Sequence, residues 1–319
     1  MLSRTADNIF WLARYMERAD FLARILDATQ RLAALPKNFS GAGTEWESAL
    51  ESSGAADLFH ELDKTADEAS VVAFLTFDAA NPSSIANCIE LARRNARAVR
   101  TALTVEMWEA INGAWLELKK FEAARTRKGA ISREDLAHFL EMVKQTSLQF
   151  DGSAYRTMLR DDGYFFSRLG LYIERADNTA RILDVKYHVL LPETEAVGGS
   201  LDYFQWTAIL RAVSALTAYH WVYRESIKPW LIADLLILKP QMPRSLISCY
   251  ENIARYLDNI GRGYGRQGPA QRHARNVMAR LEQASIKDIF QTGMHEFITG
   301  FVADNDRLGL EIAEQYLLI

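Results

Sequence analysis

Leu12, Met16, Ala19, Leu22, Ala23 and Leu26 recur at three- and four-residue steps, the spacing that lines one face of an α-helix. The pattern predicts a helix from about Ser3 to Leu35-Pro36, where proline ends it. Start signals recur further along. Thr44-x-x-Glu47 has capping-box spacing. Asn81-Pro82 reads as an N-cap followed by proline at the first helical position, and Ser132 as a further N-cap with Asp135 near the positive end of the helix dipole. No stretch alternates β-branched and polar residues as a strand does. The expected fold is all-α: a helical bundle with five or six helices in each of two repeats.

The repeats are visible in the residues themselves. Tyr15-Met-Glu-Arg-Ala-Asp-Phe-Leu-Ala-Arg-Ile-Leu-Asp27 returns as Tyr172-Ile-Glu-Arg-Ala-Asp-Asn-Thr-Ala-Arg-Ile-Leu-Asp184, with ten of 13 positions identical at an offset of 157. Trp46, Leu50 and Ala55 then match Trp206, Leu210 and Ala215 at offset 160. Pro82, Ser84, Cys88 and Arg94 match Pro243, Ser245, Cys249 and Arg255 at offset 161. A fixed period with small drift is the mark of an internal repeat. We expect a tandem duplication of residues 1–150 and 151–319, packed as one unit about a pseudo-twofold and meeting at the turn-forming pair Asp151-Gly152. The segment Gly261 to Pro269 reads as a flexible basic linker, because a phosphate-cradling loop needs a preceding strand and a Lys-Ser/Thr after the glycines.

Composition narrows the function classes. The 319 residues are 49% apolar, which is ample for a core, and the net charge of −4 gives no electrostatic case for a nucleic-acid partner. The most apolar stretch, Trp230 to Leu238, is too short for a membrane span and contains Asp234. Charges near the N-terminus break the apolar run a signal peptide needs, and Cys88 and Cys249 make no disulfide framework. The expectation is a cytoplasmic protein with no membrane anchor. The two cysteines occupy equivalent helical positions and read as small core residues.

The charges inside the repeated segment are the candidate chemistry. Glu17, Arg18, Asp20, Arg24 and Asp27 return unchanged as Glu174, Arg175, Asp177, Arg181 and Asp184, while Phe21 and Leu22 have become Asn178 and Thr179. A solvated face only has to stay polar, so identical charges beside diverged neighbours favour a buried or ligand-facing role. Asp20–Arg24 and Asp177–Arg181 have the spacing of helix ion pairs. Arg18 and Arg175 are turned about 100° from the adjacent glutamate, so each should reach a different helix. A pseudo-twofold would bring both Glu-Arg sets to one cleft.

As chemistry, Glu17 or Glu174 is a candidate general acid or base, and Arg18 or Arg175 a planar fork for a carboxylate or phosphate. Glu17/Asp20 and Glu174/Asp177 also have the spacing of carboxylates in dinuclear metal bundles. There the partner is normally histidine, and an adjacent arginine opposes a cation; we expect no metal and no cofactor. Asp184 and His188 are spaced to meet on one helix face. Tyr219, Tyr223 and Arg224, in an aromatic-rich stretch, are candidates to extend a cleft.

Met16-Glu-Arg-Ala-Asp20 and Ile173-Glu-Arg-Ala-Asp177 resemble the signature of the alpha-E domain family. Pro82-Ser-Ser-Ile85, Ala92 to Arg97, Met107-Trp108 with Asn112, and Pro243-Arg-Ser-Leu246 with Cys249 are also similar to it. The resemblance implies an all-helical tandem duplication. It also implies an association with ATP-grasp proteins, transglutaminase-like proteins and an N-terminal-nucleophile peptidase, in systems that make or modify peptides through amide bonds. The role expected on that basis is an accessory binding or scaffold component, with an ATP-grasp ligase-like or transglutaminase-like partner and a peptide or carboxylate substrate. An independent catalyst is the alternative, and a carboxylate–metal bundle the third reading.

Overall fold

Two long helices, α1 (Ser3–Ala33) and α8 (Asp162–His188), lie against each other at the centre of the molecule in the most extensive packing it contains. Their close approach has a local cause. A Cβ at Gly170 on α8 would sit 2.2 Å from the Phe10 carbonyl oxygen of α1. Only glycine lets the two backbones come together there. Because α1 is central, its buried residues include Ala6, Phe10, Leu12, Met16, Phe21 and Leu26 but also Glu17 and Asp20. A single apolar stripe therefore underestimates how much of α1 is covered.

This computed structural model describes residues 1–34, 44–128, 131–188 and 200–317, with the side chains of 44, 128, 185–188 and 200–202 outside the description. Among the described residues every regular element is helical, as the sequence predicts. After α1 come α2 (Thr44–Ser53), α3 (Ala56–Glu61), α4 (Glu68–Thr76), α5 (Ile85–Ala98), α6 (Val105–Lys128) and α7 (Arg133–Thr157). After α8 come α9 (Ser200–Ala212), α10 (Leu216–Tyr223), α11 (Pro229–Leu238), α12 (Leu246–Gly263), α13 (Pro269–Gln283), α14 (Ile286–Thr292) and α15 (Met294–Tyr316). The described helices outnumber the expected five or six per repeat, because short ones such as α3 and α14 interrupt the connections.

The surroundings of the two central helices run in parallel. α1 is flanked by α5 and α7, and α8 by α12 and α15. α6 packs on α5 and α7, as α13 does on α12 and α15. The short helices cross over: α2 touches α8 and α9 touches α1.

Cap chemistry sets several boundaries and corrects three expectations. Ser132 caps α7 as expected, accepting from the Asp135 N–H at 3.0 Å. α5 starts later than Asn81-Pro82: Ser84 Oγ caps it by accepting from the Asn87 N–H at 3.4 Å. Asn81 instead shapes the preceding turn, accepting from the Ser83 N–H at 3.0 Å and donating to the Phe74 carbonyl at 3.1 Å. Asp151-Gly152 is no turn, for it lies inside α7, and the chain reverses after Thr157. Tertiary packing of Phe150 and Ala154 holds that helix through the glycine. The Gly261–Pro269 linker is shorter than expected, since α12 runs to Gly263 and α13 begins at Pro269. The Thr44 side chain of the expected capping box, and the Leu35-Pro36 stop, lie outside the described residues.

Candidate functional site

Glu17 on α1 and Glu174 on α8 are buried at 3% and 2% exposure where the two central helices cross. Each accepts from the other helix's arginine. Arg175 Nε and Nη2 grip Glu17 Oε1 and Oε2 at 2.9 and 2.8 Å. Arg18 Nε and Nη2 grip Glu174 Oε1 and Oε2 at 2.5 and 3.0 Å. These are fork-to-fork pairs, the strongest geometry an ion pair adopts. The sequence expectation that Arg18 and Arg175 each reach a different helix holds, and what they reach is the opposite glutamate.

One guanidinium does not saturate a buried carboxylate, and each glutamate has a second. Arg244, one residue before the α12 cap, places Nη1 at 2.8 Å from Glu17 Oε1 and Nη2 at 2.9 Å from Asp20 Oδ2. Arg14 places Nε at 2.8 Å from Glu174 Oε2, while its guanidinium lies over the Trp11 ring at 4.6 Å. Asp20 also accepts from Arg24 Nε at 2.7 Å, and Asp177 from Arg181 Nε at 2.7 Å, as the four-residue spacing predicts. Arg24 Nη1 continues to Ser214 Oγ at 2.7 Å. Arg18 Nη1 donates to Ser83 Oγ at 3.2 Å.

The electrostatics follow from this supply of cations. Burial pushes the Glu17 carboxyl up, but Arg175 and Arg244 more than offset it and hold it at about 2. Burial likewise opposes Arg18 and Arg14 at Glu174, and the arginines again win, holding it at about 2. Asp177 goes the other way, because burial outweighs its single partner Arg181 and raises it. Oδ1 of both Asp20 and Asp177 is buried without a hydrogen-bond partner.

Chemically, the arrangement is a double ion-pair clasp. A general acid or base working at neutral pH has to change protonation there, and Glu17 and Glu174 stay ionised. The arginine forks that the sequence offers to a carboxylate ligand already hold carboxylates of the chain itself. Glu17 and Asp20 share the Arg244 guanidinium, and among the described residues no group of three His, Cys, Asp or Glu side chains is placed to hold a metal ion.

The remaining candidates lie elsewhere. Tyr219 is fully buried, donating to the Ser226 carbonyl at 2.8 Å and accepting from the Lys228 N–H at 3.0 Å. Tyr223 donates to Asp234 at 2.6 Å, and Arg224 is exposed in a left-handed conformation that ends α10. Both tyrosine hydroxyls hold the α10–α11 connection together and do not extend the Glu-Arg centre. Cys88 and Cys249 are buried core residues, as expected, with burial pushing both thiols up to about 12. Asp184 pairs with His295 across helices at 2.7 Å, and the His188 side chain expected beside it lies outside the description. Arg14, Ser83 and Arg244 are the residues that sequence reasoning missed. The signal was present for two of them: Pro82-Ser-Ser and Pro243-Arg-Ser align with one charge difference.

Comparison with known proteins gives a family but no activity. The Alpha-E family model, described as a predicted alpha-helical domain with a conserved ER motif, matches residues 1–317. Proteins of Mycobacterium bovis and Mycobacterium tuberculosis, both described as uncharacterized, are 23% identical over 312 residues, 90% of this chain and 33% of each relative. The chain thus spans about a third of the length of the curated relatives it matches. No solved structure matches it. Among the described residues no helix is long and apolar enough to cross a membrane.

Proposed function

The chain belongs to the Alpha-E family, and from that premise we propose that it is an accessory binding or scaffold component of an ATP-grasp-linked system that makes or modifies peptides through amide bonds. One observation carries the reading: the two motif glutamates are buried, saturated by arginine and held ionised, so the motif is spent on the fold. Such a clasp supports a rigid platform rather than a reaction centre. The mycobacterial relatives, in which the matching region is about a third of the chain, also fit a module working beside other domains. The partner on this reading is an ATP-grasp ligase-like or transglutaminase-like protein, and the substrate a peptide or carboxylate.

The test is capture of the tagged full chain from its own organism with identification by mass spectrometry. Reproducible recovery of an ATP-grasp or transglutaminase-like protein is expected. Recovery of neither, or turnover of peptide substrates by the purified chain alone, overturns the accessory reading in favour of the independent catalyst.

A further inference from the structure

Away from the Glu-Arg centre, two small cavities flank the central helices and carry opposite charge. One, of about 310 Å³, is lined by Glu51, Asp57 and Asp184 with Arg181. The other, of about 270 Å³, is lined by Arg24, Arg31, Lys144 and Arg211 with Asp27. Three of their lining positions correspond at the offsets read from the sequence: Arg24 with Arg181 and Asp27 with Asp184 at 157, Arg211 with Glu51 at 160. Part of the sign reversal comes from one exchange, Glu51 for Arg211, and the rest from Asp57 on one side and Arg31 and Lys144 on the other.

The basic cavity is short of negative charge. Asp27 is shared at long range, 3.3 Å from both Arg31 Nε and Arg31 Nη2 and 3.4 Å from Lys144 Nζ. Lys144 also pairs with Glu141 at 2.9 Å. Arg24 spends Nε and Nη1 on Asp20 and Ser214. Arg211 is exposed and makes no ion pair among the described residues. With Asp20 and Glu141 counted, four cations face three carboxylates, of which Asp20 is shared with Arg244, so the excess positive charge rests on Arg211 and a concave wall concentrates its field. In a chain of net charge −4 this concentration is local, so an anion enters against the overall charge only where the cavity draws it.

We propose that this cavity is a binding site for a small oxyanion carrying at least two negative charges, a phosphoryl group or clustered carboxylates. Arg31 and Arg211 supply guanidinium forks at the mouth, and Lys144 and the free edge of Arg24 supply the floor. The site touches the outer end of the Glu-Arg network only through Arg24 and does not depend on the partner assignment above.

The experiment is titration calorimetry of the full chain with inorganic pyrophosphate and with citrate, at constant ionic strength and with chloride as control. Saturable binding is expected for at least one probe, and which one binds separates the phosphoryl from the carboxylate source. Arg211→Glu should weaken that binding by about tenfold and Arg31→Gln by about threefold. Arg272→Glu, an equal change of charge at an exposed position on α13, should leave it intact. Both cavity arginines are exposed, so equal thermal melts will show that the variants fold. No saturable binding of either probe, or Arg211→Glu binding as tightly as Arg272→Glu, overturns the site.

Discussion

The surroundings of Glu17 and of Glu174 solve the same problem in different ways. At Glu17 the cations come from two separate parts of the chain, Arg175 on α8 and Arg244 before α12. Arg244 then bridges to Asp20, which holds Arg24, which reaches Ser214, so the network is continuous. At Glu174 both cations, Arg14 and Arg18, come from one helix a turn apart. Ser83 stands where the other centre has Arg244, and Asp177 is left with Arg181 alone. Each buried glutamate has two guanidinium groups to offset its lost hydration; the positions from which they arrive differ. The centre that recruits from further away binds more of the molecule together.

That contrast can be broken by mutation. Arg175→Ala should cost the most, about 4 kcal/mol, because Glu17 stays buried with one partner. Arg18→Ala also leaves its glutamate with one partner, Arg14, but should cost about half as much, since Arg18 is the more exposed of the two at 23% against 11%. Urea melts giving equal or reversed losses would remove the distinction. Arg244→Ala should cost about 3 kcal/mol by releasing both Glu17 and Asp20, against under about 1 for Ser83→Ala, which loses one hydrogen bond.

Acid sharpens the comparison further. Both glutamates titrate at about 2 in the fold against an ordinary 4.5. A depressed carboxyl stabilises the fold in full above its ordinary value and loses that contribution as pH falls through the folded value. Urea stability of the protein should therefore decline from about pH 4.5 towards 2, and the gap to Arg175→Ala should narrow over the same window. A gap independent of pH would show that Arg175 acts by packing, not charge. The smallest effect is expected at Asp177, whose raised carboxyl makes its ionised form a cost above the ordinary 3.8. Asp177→Asn should change stability by no more than about 1 kcal/mol, whereas Asp20→Asn, with two arginines to strand, should lose about 2–3. Equal losses would mean that the two aspartates are equivalent after all.

How much of this was legible depends on what each residue answers to. The i, i+4 pairs Asp20–Arg24 and Asp177–Arg181 follow from helix geometry alone, and the helical fold from local spacing. That Arg18 and Arg175 point away from their neighbours also follows, because adjacent helix residues diverge by about 100°. Their targets do not, since a partner 156 or 158 residues away is set by tertiary packing. Asp151-Gly152 misled for the same reason: turn propensity is local, and the packing that keeps α7 helical is not. Arg244 was hidden by its place in a capping segment, where it reads as flanking polarity until the helices are assembled.

The reciprocity of the clasp also governs how the chain comes into being. Residues emerge from the ribosome in order, and when Glu17 and Arg18 appear neither of their partners on α8 has been made. The first 150 residues hold carboxylate and guanidinium groups whose burial is tolerable only after residue 175 has followed them out, and the third fork waits for residue 244. Closing links of 158 and 227 residues gives the nascent chain a long unfinished interval. A nascent chain that has not reached residue 175 carries Glu17 without either of its guanidinium partners.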